Sequence, residues 1–299
     1  MSIERFSLGL IGHPLEHSLS PQLHQTALQE RSLQGDYLLY DIPPLPAGWA
    51  DLEALFKKMR GGEIQGLNVT IPHKLAVILF LDRLTPVANA VGAVNTVMLQ
   101  ENLLVGDNTD VMGFMADLQR QMPDWSIIQQ KKVRFALVLG AGGAARAVVY
   151  ALASTGWTVW LAARRPKQAT DLIEDLKRKS SDQILDITPI SFDQNSIQAS
   201  APDCHLVVNA TSIGMFPNIQ DNPWPEGIAY PKNAFIYDLV YNPAETALIQ
   251  AAHQAGLQAA NGTGMLAEQA ALAFEIWTGR PAPKAKMFEV IVNSMRKLP

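Results

Sequence analysis

Lys74, which closes NVTIPHK, and Asp110, which closes GDNTD, are the residues whose types best suit chemistry. A lysine and an aspartate brought together can hold a hydroxyl and manage its proton while hydride moves elsewhere. Asp110 is also an ordinary helix-starting residue, as are Asn108 and Thr109 beside it. NVTIPHK adds Asn68 and Thr70, and an amide, a hydroxyl and a lysine make a pocket for a carboxylate or a polyol. His73 has no second histidine at metal-ligand spacing, so it reads as structural or at the rim, and no metal is expected. Ser18 and Ser20 in HSLSP either bind a small polar molecule or leave Ser20 as a helix cap with Pro21 at the first position. Asn95-Thr96 repeats the pattern of polar residues at the end of an apolar element.

A second group concerns phosphate. Gly140-Ala141-Gly142-Gly143-Ala144-Ala145 follows the apolar run FALVL and precedes the helical stretch ARAVVYALAS. Glycines there make a tight turn and let backbone amides approach a pyrophosphate, whose charge the helix N-terminus stabilises. The next strand, TVWLAA, runs into Ala163-Arg164-Arg165-Pro166-Lys167, where an NAD site would place an acid for the ribose hydroxyls. Two arginines and a lysine instead offer charge-assisted donors to an added 2′-phosphate, which points to NADP.

These groups need elements that hold them. FSLGLIG, DYLLYDI and IQGLNVTI alternate with the helical PQLHQTALQERS and LEALFKKMR, a βαβ-like pattern. VGAVNTVML and NLLVGD read as strands joined at QEN. Near residue 133 the chain starts again as a second parallel α/β domain, with QILDITPI, LVVNA and FIYDLVY as later strands and MGFMADLQRQ as the linking helix. After Gly262, MLAEQAALAFEIW and KAKMFEVIVNSMRKL read as helices, and DNPWPEGIAYPKN as a surface loop. Polar strand ends of this kind converge on clefts in α/β folds.

With 299 residues, 48% of them hydrophobic, the chain can fill two cores. A formal charge of −4 argues against a broad nucleic-acid surface. The single cysteine, Cys204, excludes an intrachain disulfide and reads as a buried small apolar residue. MSIERFSLGLIGHP lacks an apolar core of signal-peptide length, and no apolar stretch reaches spanning length, so no membrane partner and a cytoplasmic location are expected.

In order, IGHPLEHSLSP, GLNVTIPHK, VGAVNT, GDNTDVMGF, GAGGAARA, VVNATSIGM, YDLVYNPAETALI and NGTGMLAEQA resemble the shikimate dehydrogenase family over nearly the whole chain. The resemblance implies two α/β domains, the second a Rossmann-like NADP-binding domain, with an interdomain active-site cleft. It implies a substrate domain over 1–112, a cofactor domain over 113–261, and C-terminal helices over 262–299 that return to the first domain. The implied activity is NADPH-dependent, reversible reduction of 3-dehydroshikimate to shikimate, toward chorismate and the aromatic amino acids. Ser18 and Ser20 then fall on the serines that bind the substrate carboxylate, with Tyr241 assisting. Thr70, Asn95 and Gln269 fall on further carboxylate or hydroxyl contacts, Lys74 on the general acid/base and Asp110 on its partner. Gly140, Ala141, Gly142, Gly143 and Ala144 fall on the pyrophosphate loop, Arg164 and Arg165 on the adenosine-phosphate end. Leu239, Gly262 and Met265 fall near the nicotinamide. The family's usual Asn-Arg-Thr is Ala163-Arg164-Arg165 here, and Thr263 replaces a leucine-like residue. The expected partners are 3-dehydroshikimate and shikimate; a homodimer is one state open to the chain. A quinate/shikimate dehydrogenase using NAD or both cofactors is the nearest alternative. A binding protein without turnover is the other, and the intact Lys74/Asp110 pair argues against it.

Overall fold

The computed structural model describes residues 5–122, 125–180 and 182–295. The first few residues and the end of the expected C-terminal helix, 296–298, lie outside this set. The described residues divide into two units, one made of 5–110 together with 267–295, the other of 111–266.

In the first unit, β1 (Arg5–Gly12) is apolar on both faces, as a central parallel strand must be. It is followed by α1 (Ser20–Glu30), β2 (Gln34–Asp41), α2 (Trp49–Arg60) and β3 (Gly66–Val69). A 3-10 turn (Ala76–Phe80), β4 (Arg83–Leu84), α3 (Pro86–Val91), β5 (Thr96–Gln100), β6 (Leu103–Asp107) and α4 (Thr109–Gln121) continue the chain. The sheet order is β2-β1-β3-β5-β6-β4. β1 lies parallel to both its neighbours, whereas β5 runs antiparallel to β3 and β6. Glu101 and Asn102, both at positive φ, turn the β5–β6 hairpin tightly, so that Thr96 pairs with Asp107. That register brings the Asn95-Thr96 end of one strand beside the GDNTD exit of the next.

The second unit contains α5 (Trp125–Gln130), β7 (Phe135–Leu139), α6 (Gly143–Ser154), β8 (Thr158–Ala163), α7 (Pro166–Lys179) and β9 (Ile187–Ser191). Then come α8 (Gln194–Ser200), β10 (Leu206–Asn209), β11 (Phe235–Asp238), α9 (Ala247–Gln254) and β12 (Ala259–Asn261). Its sheet is parallel throughout, in the order β12-β11-β10-β7-β8-β9. This is the doubly wound Rossmann order, in which the strand order reverses beside β7 and ligands bind at the carboxyl ends. Trp224, in the Pro-rich loop, is buried in this unit's core and stacks on Tyr230, so the loop expected on the surface is anchored inward.

α10 (Thr263–Thr278) and α11 (Lys284–Met295) end the chain. From Ala267 on they cover the first sheet. Trp277 donates from its indole to the Val97 carbonyl at 3.0 Å and lies over Gly66, where a Cβ would come within 2.4 Å of the ring. Among the described residues, no helix is long and apolar enough to cross a membrane.

Candidate active site

The Lys74 Nζ lies 2.5 Å from Asp110 Oδ2, and the side chains are only 11% and 6% exposed. Local structure explains both positions. Lys74 follows β3 in a turn pinned by the Val94 N–H donating to the Lys74 carbonyl at 2.7 Å and by the His73 N–H on Thr70. Asp110 sits in the first turn of α4, where the helix dipole favours a carboxylate. The helix expected over MGFMADLQRQ begins three residues earlier, since Thr109 is already helical.

Asn95 joins the pair to its surroundings. Its amide donates to Asp110 Oδ1 at 2.9 Å, to Thr109 Oγ1 at 2.9 Å and, more weakly, to Gln269 Oε1 at 3.4 Å. Its oxygen accepts from the Thr109 N–H at 2.7 Å and from Thr96 Oγ1 at 3.1 Å. Each carboxylate oxygen of Asp110 thus has its own donor, which fixes the group beside the lysine. Asp107 serves the turn, accepting from Thr85 Oγ1 at 2.5 Å and from the Asn108 N–H at 2.8 Å. Asn108 donates to the Ala93 carbonyl at 2.9 Å. Of the GDNTD cluster, Asp110 alone faces the lysine.

Ser18 and Ser20 are half-buried at the start of α1, and the Ser20 N–H approaches Ser18 Oγ at 3.3 Å. The cap expected at Ser20 is not formed: Leu19 holds the N-cap position and Ser20 is the first helical residue. Asn68, a pocket candidate by type, is directed inward. It accepts from Tyr37 Oη at 2.8 Å and donates to the Asn95 carbonyl at 3.2 Å and Thr96 Oγ1 at 3.3 Å. Thr70, at the end of β3, is half-buried. His73 is structural, its Nε2 2.7 Å from the Ile42 carbonyl.

Beneath these residues lies His24, fully buried and missed by sequence reasoning. Its ring stacks on Tyr37 with centroids 4.4 Å apart and an interplanar angle of 1°, and tilts against Trp277 at 5.3 Å. Burial pulls its pKa down to about 3, so it is a neutral ring in the core. Its spacing of four from Ser20 is the one signal available from sequence.

In the second unit, β7 is followed by Gly140 at φ +107°, where a Cβ would lie 2.9 Å from the Ala210 carbonyl and the Thr211 methyl. Gly142 is the N-cap of α6 and is exposed, with no atom within 4 Å of a Cβ built there. Ala141, Gly143 and Ala144 complete an open cradle of backbone at a helix N-terminus. At the end of β8, Arg164 and Arg165 are both exposed. Arg165 Nε donates to Gln168 at 3.0 Å and Lys167 pairs with Asp171 at 2.7 Å, so the outermost cations are held by their own helix. Leu239 and Gly262 are adjacent: a Cβ on Gly262 would lie 2.2 Å from the Leu239 carbonyl. Met265 is buried, and Tyr241 is half-buried with its phenol pKa raised by burial.

Residues 10–97 match the shikimate dehydrogenase substrate binding domain, and residues 262–291 the shikimate 5′-dehydrogenase C-terminal domain. The shikimate dehydrogenase (NADP(+)) of Methanopyrus kandleri is 40% identical over 97% of this chain and 96% of its own length. The shikimate 5-dehydrogenase of Thermus thermophilus, solved with NADP(H) and shikimate, superposes with a TM-score of 0.80 at 36% identity, covering 97% of this chain and 99% of that one. The quinate dehydrogenase of Corynebacterium glutamicum, solved with NAD, superposes with a TM-score of 0.85 at 29% identity, covering 97% of this chain and all of that one. A paired lysine and aspartate on a mixed sheet, a glycine cradle on a Rossmann sheet, and identity along almost the whole length agree on one assignment: the chain belongs to the shikimate dehydrogenase family.

Proposed function

We propose that the protein is an NADP-dependent shikimate dehydrogenase that interconverts 3-dehydroshikimate and shikimate. The observation that carries this reading is the buried Lys74–Asp110 pair, held by Asn95 at the ends of β5 and β6. Removing one partner would leave an uncompensated buried charge, so lysine and carboxylate act as a unit at this polar strand end.

The second unit fits the dinucleotide. The bare Gly142 amide end of α6 suits a pyrophosphate, and Arg164 at the end of β8 suits a 2′-phosphate. When bound, the cofactor supplies or accepts the hydride. Ser18 and Ser20, assisted by Tyr241, take the substrate carboxylate, while Thr70, Asn95 and Gln269 take ring hydroxyls. In the reduction, Lys74 Nζ gives its proton to the oxygen of the former ketone, and Asp110 orients both the ammonium and the hydroxyl. In the oxidation the same lysine receives that proton. Leu239, Gly262 and Met265 form the apolar side of the nicotinamide subsite. The substrate domain assignment over 1–112, the cofactor domain over 113–261 and the returning helices over 262–299 belong to this reading. So does a cytoplasmic location with small-molecule partners only; a homodimer would double a sedimentation mass of 32.7 kDa.

Lys74→Ala should lower kcat for shikimate oxidation by about 10²-fold or more while direct shikimate binding stays measurable. A folded variant with near-native kcat at saturating substrates would rule out lysine as the proton donor. The likeness to quinate dehydrogenase supports a second reading with NAD and quinate, which the same assay separates by exchanging each ligand in turn.

A further inference from the structure

The carboxyl ends of the second sheet hold a buried carboxylate that none of these roles uses. Asp238, the last residue of β11, is fully buried. Its Oδ1 accepts from Asn209 Nδ2 at 2.8 Å and from the Val240 N–H at 3.0 Å, and its Oδ2 from Thr246 Oγ1 at 2.6 Å. The last two bonds close the segment 239–246, which carries Leu239 and Tyr241, upon its own strand. The first reaches the neighbouring strand, where Asn209 Oδ1 accepts from the Thr211 N–H at 3.0 Å and Thr211 Oγ1 at 2.6 Å. Thr211 is the residue against which Gly140 of the glycine loop packs, and Leu239 is the one against which Gly262 packs. Four loops at the carboxyl ends of the sheet therefore meet through one carboxylate.

We infer that Asp238 is a positioning residue for the dinucleotide site, holding the loops after β7, β10, β11 and β12 in register through Asn209 and Thr246. The proposal rests on the NADP reading above. The ionised form suits this arrangement, because three donors converge on two oxygens and a proton on Oδ2 would turn the Thr246 hydroxyl from donor to acceptor, reversing that bond. The groups facing Asp238 are those neutral donors, and no charged side chain among the described residues bears on it. Burial outweighs the donors and raises its pKa to about 6, so the ionised form is complete only above that pH.

The test measures the Kd of NADP by calorimetry from pH 5 to 8, with thermal unfolding alongside, for the native protein, Asp238→Asn and Thr246→Val. At pH 7–8, Asp238→Asn should bind NADP about 5-fold more weakly, the worth of one ordinary hydrogen bond. Its unfolding temperature should be no lower than native, since a neutral group no longer carries the cost of burial. Near pH 5 the two proteins should converge, and the cofactor's own titration cancels because it is common to both. Thr246→Val removes a donor and should move the native inflection to higher pH, which keeps the proposal testable if the first variant fails to fold. A native-like Kd for Asp238→Asn, a matching fall in its stability, or an unmoved inflection would overturn the proposal. Shikimate turnover by the native protein tests the function separately, so a silent enzyme with these binding shifts would fail only that reading.

Discussion

His24 makes acid stability the sharpest physical prediction. The native imidazole titrates at about 3, against 6.5 for an imidazole in water, because burial between Tyr37 and Trp277 disfavours its charge. Above pH 6.5 both folded and unfolded chains carry a neutral ring, and the contribution is fully present. Below that, the unfolded chain takes a proton that the native chain refuses, so stability is lost as pH falls toward 3. The depression of about 3.5 pH units corresponds to about 5 kcal/mol in all, of which about 2 kcal/mol is lost between pH 6.5 and 5. Replacing His24 by leucine fills the site with an apolar side chain that cannot titrate. Chemical unfolding of both proteins at pH 5, 5.75, 6.5 and 7.5, followed through a probe in the first unit, should show the native protein losing about 2 kcal/mol more than the variant. The native imidazole Cε1–H resonance should not shift over the same range. A pH-independent stability difference between the two proteins, or a resonance that titrates between 5 and 7, would refute the burial argument.

Two further outcomes are expected. The native protein should have a clearly higher kcat/KM with NADP than with NAD in shikimate oxidation. Replacing both Arg164 and Arg165 should erode that preference more than it weakens use of NAD, and equal use of both cofactors by the native enzyme would overturn the assignment. Burial pushes the Cys204 thiol up to about 12. A disulfide reagent at pH 8 should therefore leave the folded protein unlabelled and react once denaturant is added; stoichiometric labelling under native conditions would contradict this.

What could be read from the chain depended on how local the cause was. The glycine loop, β7 and β8 were legible because a buried parallel strand, its turn and its helix lie in one continuous run. The polar character of Lys74, Asn95 and Asp110 was legible, but their meeting required the β5–β6 register, a long-range consequence of a two-residue turn. Ser-Pro signals a cap at Ser20, but the helix starts one residue earlier than that signal places it, with Leu19 at the N-cap. The internal partners of Asn68 were not legible either, since all three lie on other strands or at their ends. β12 was invisible, since Ala259–Asn261 has neither length nor branched apolar side chains and pairs only because β11 offers a parallel edge. Asp238 lies within YDLVYNPAETALI, yet nothing local marks a carboxylate whose donors come from the neighbouring strand as well as from the loop after its own.

The Trp277 indole donates to Val97, 180 positions earlier in the chain. Its ring stands on Gly66 and against His24, so the sheet that bears Lys74 lacks one of its covers until the ribosome has delivered α10. The second unit has no such delay, because Val111–Leu266 is one uninterrupted stretch and all its strands are available before Ala267 is made. During synthesis the Rossmann sheet can close first, while the earlier-made strands β1, β2 and β3 wait with apolar surface uncovered. The half that is translated first is thus the half that is finished last.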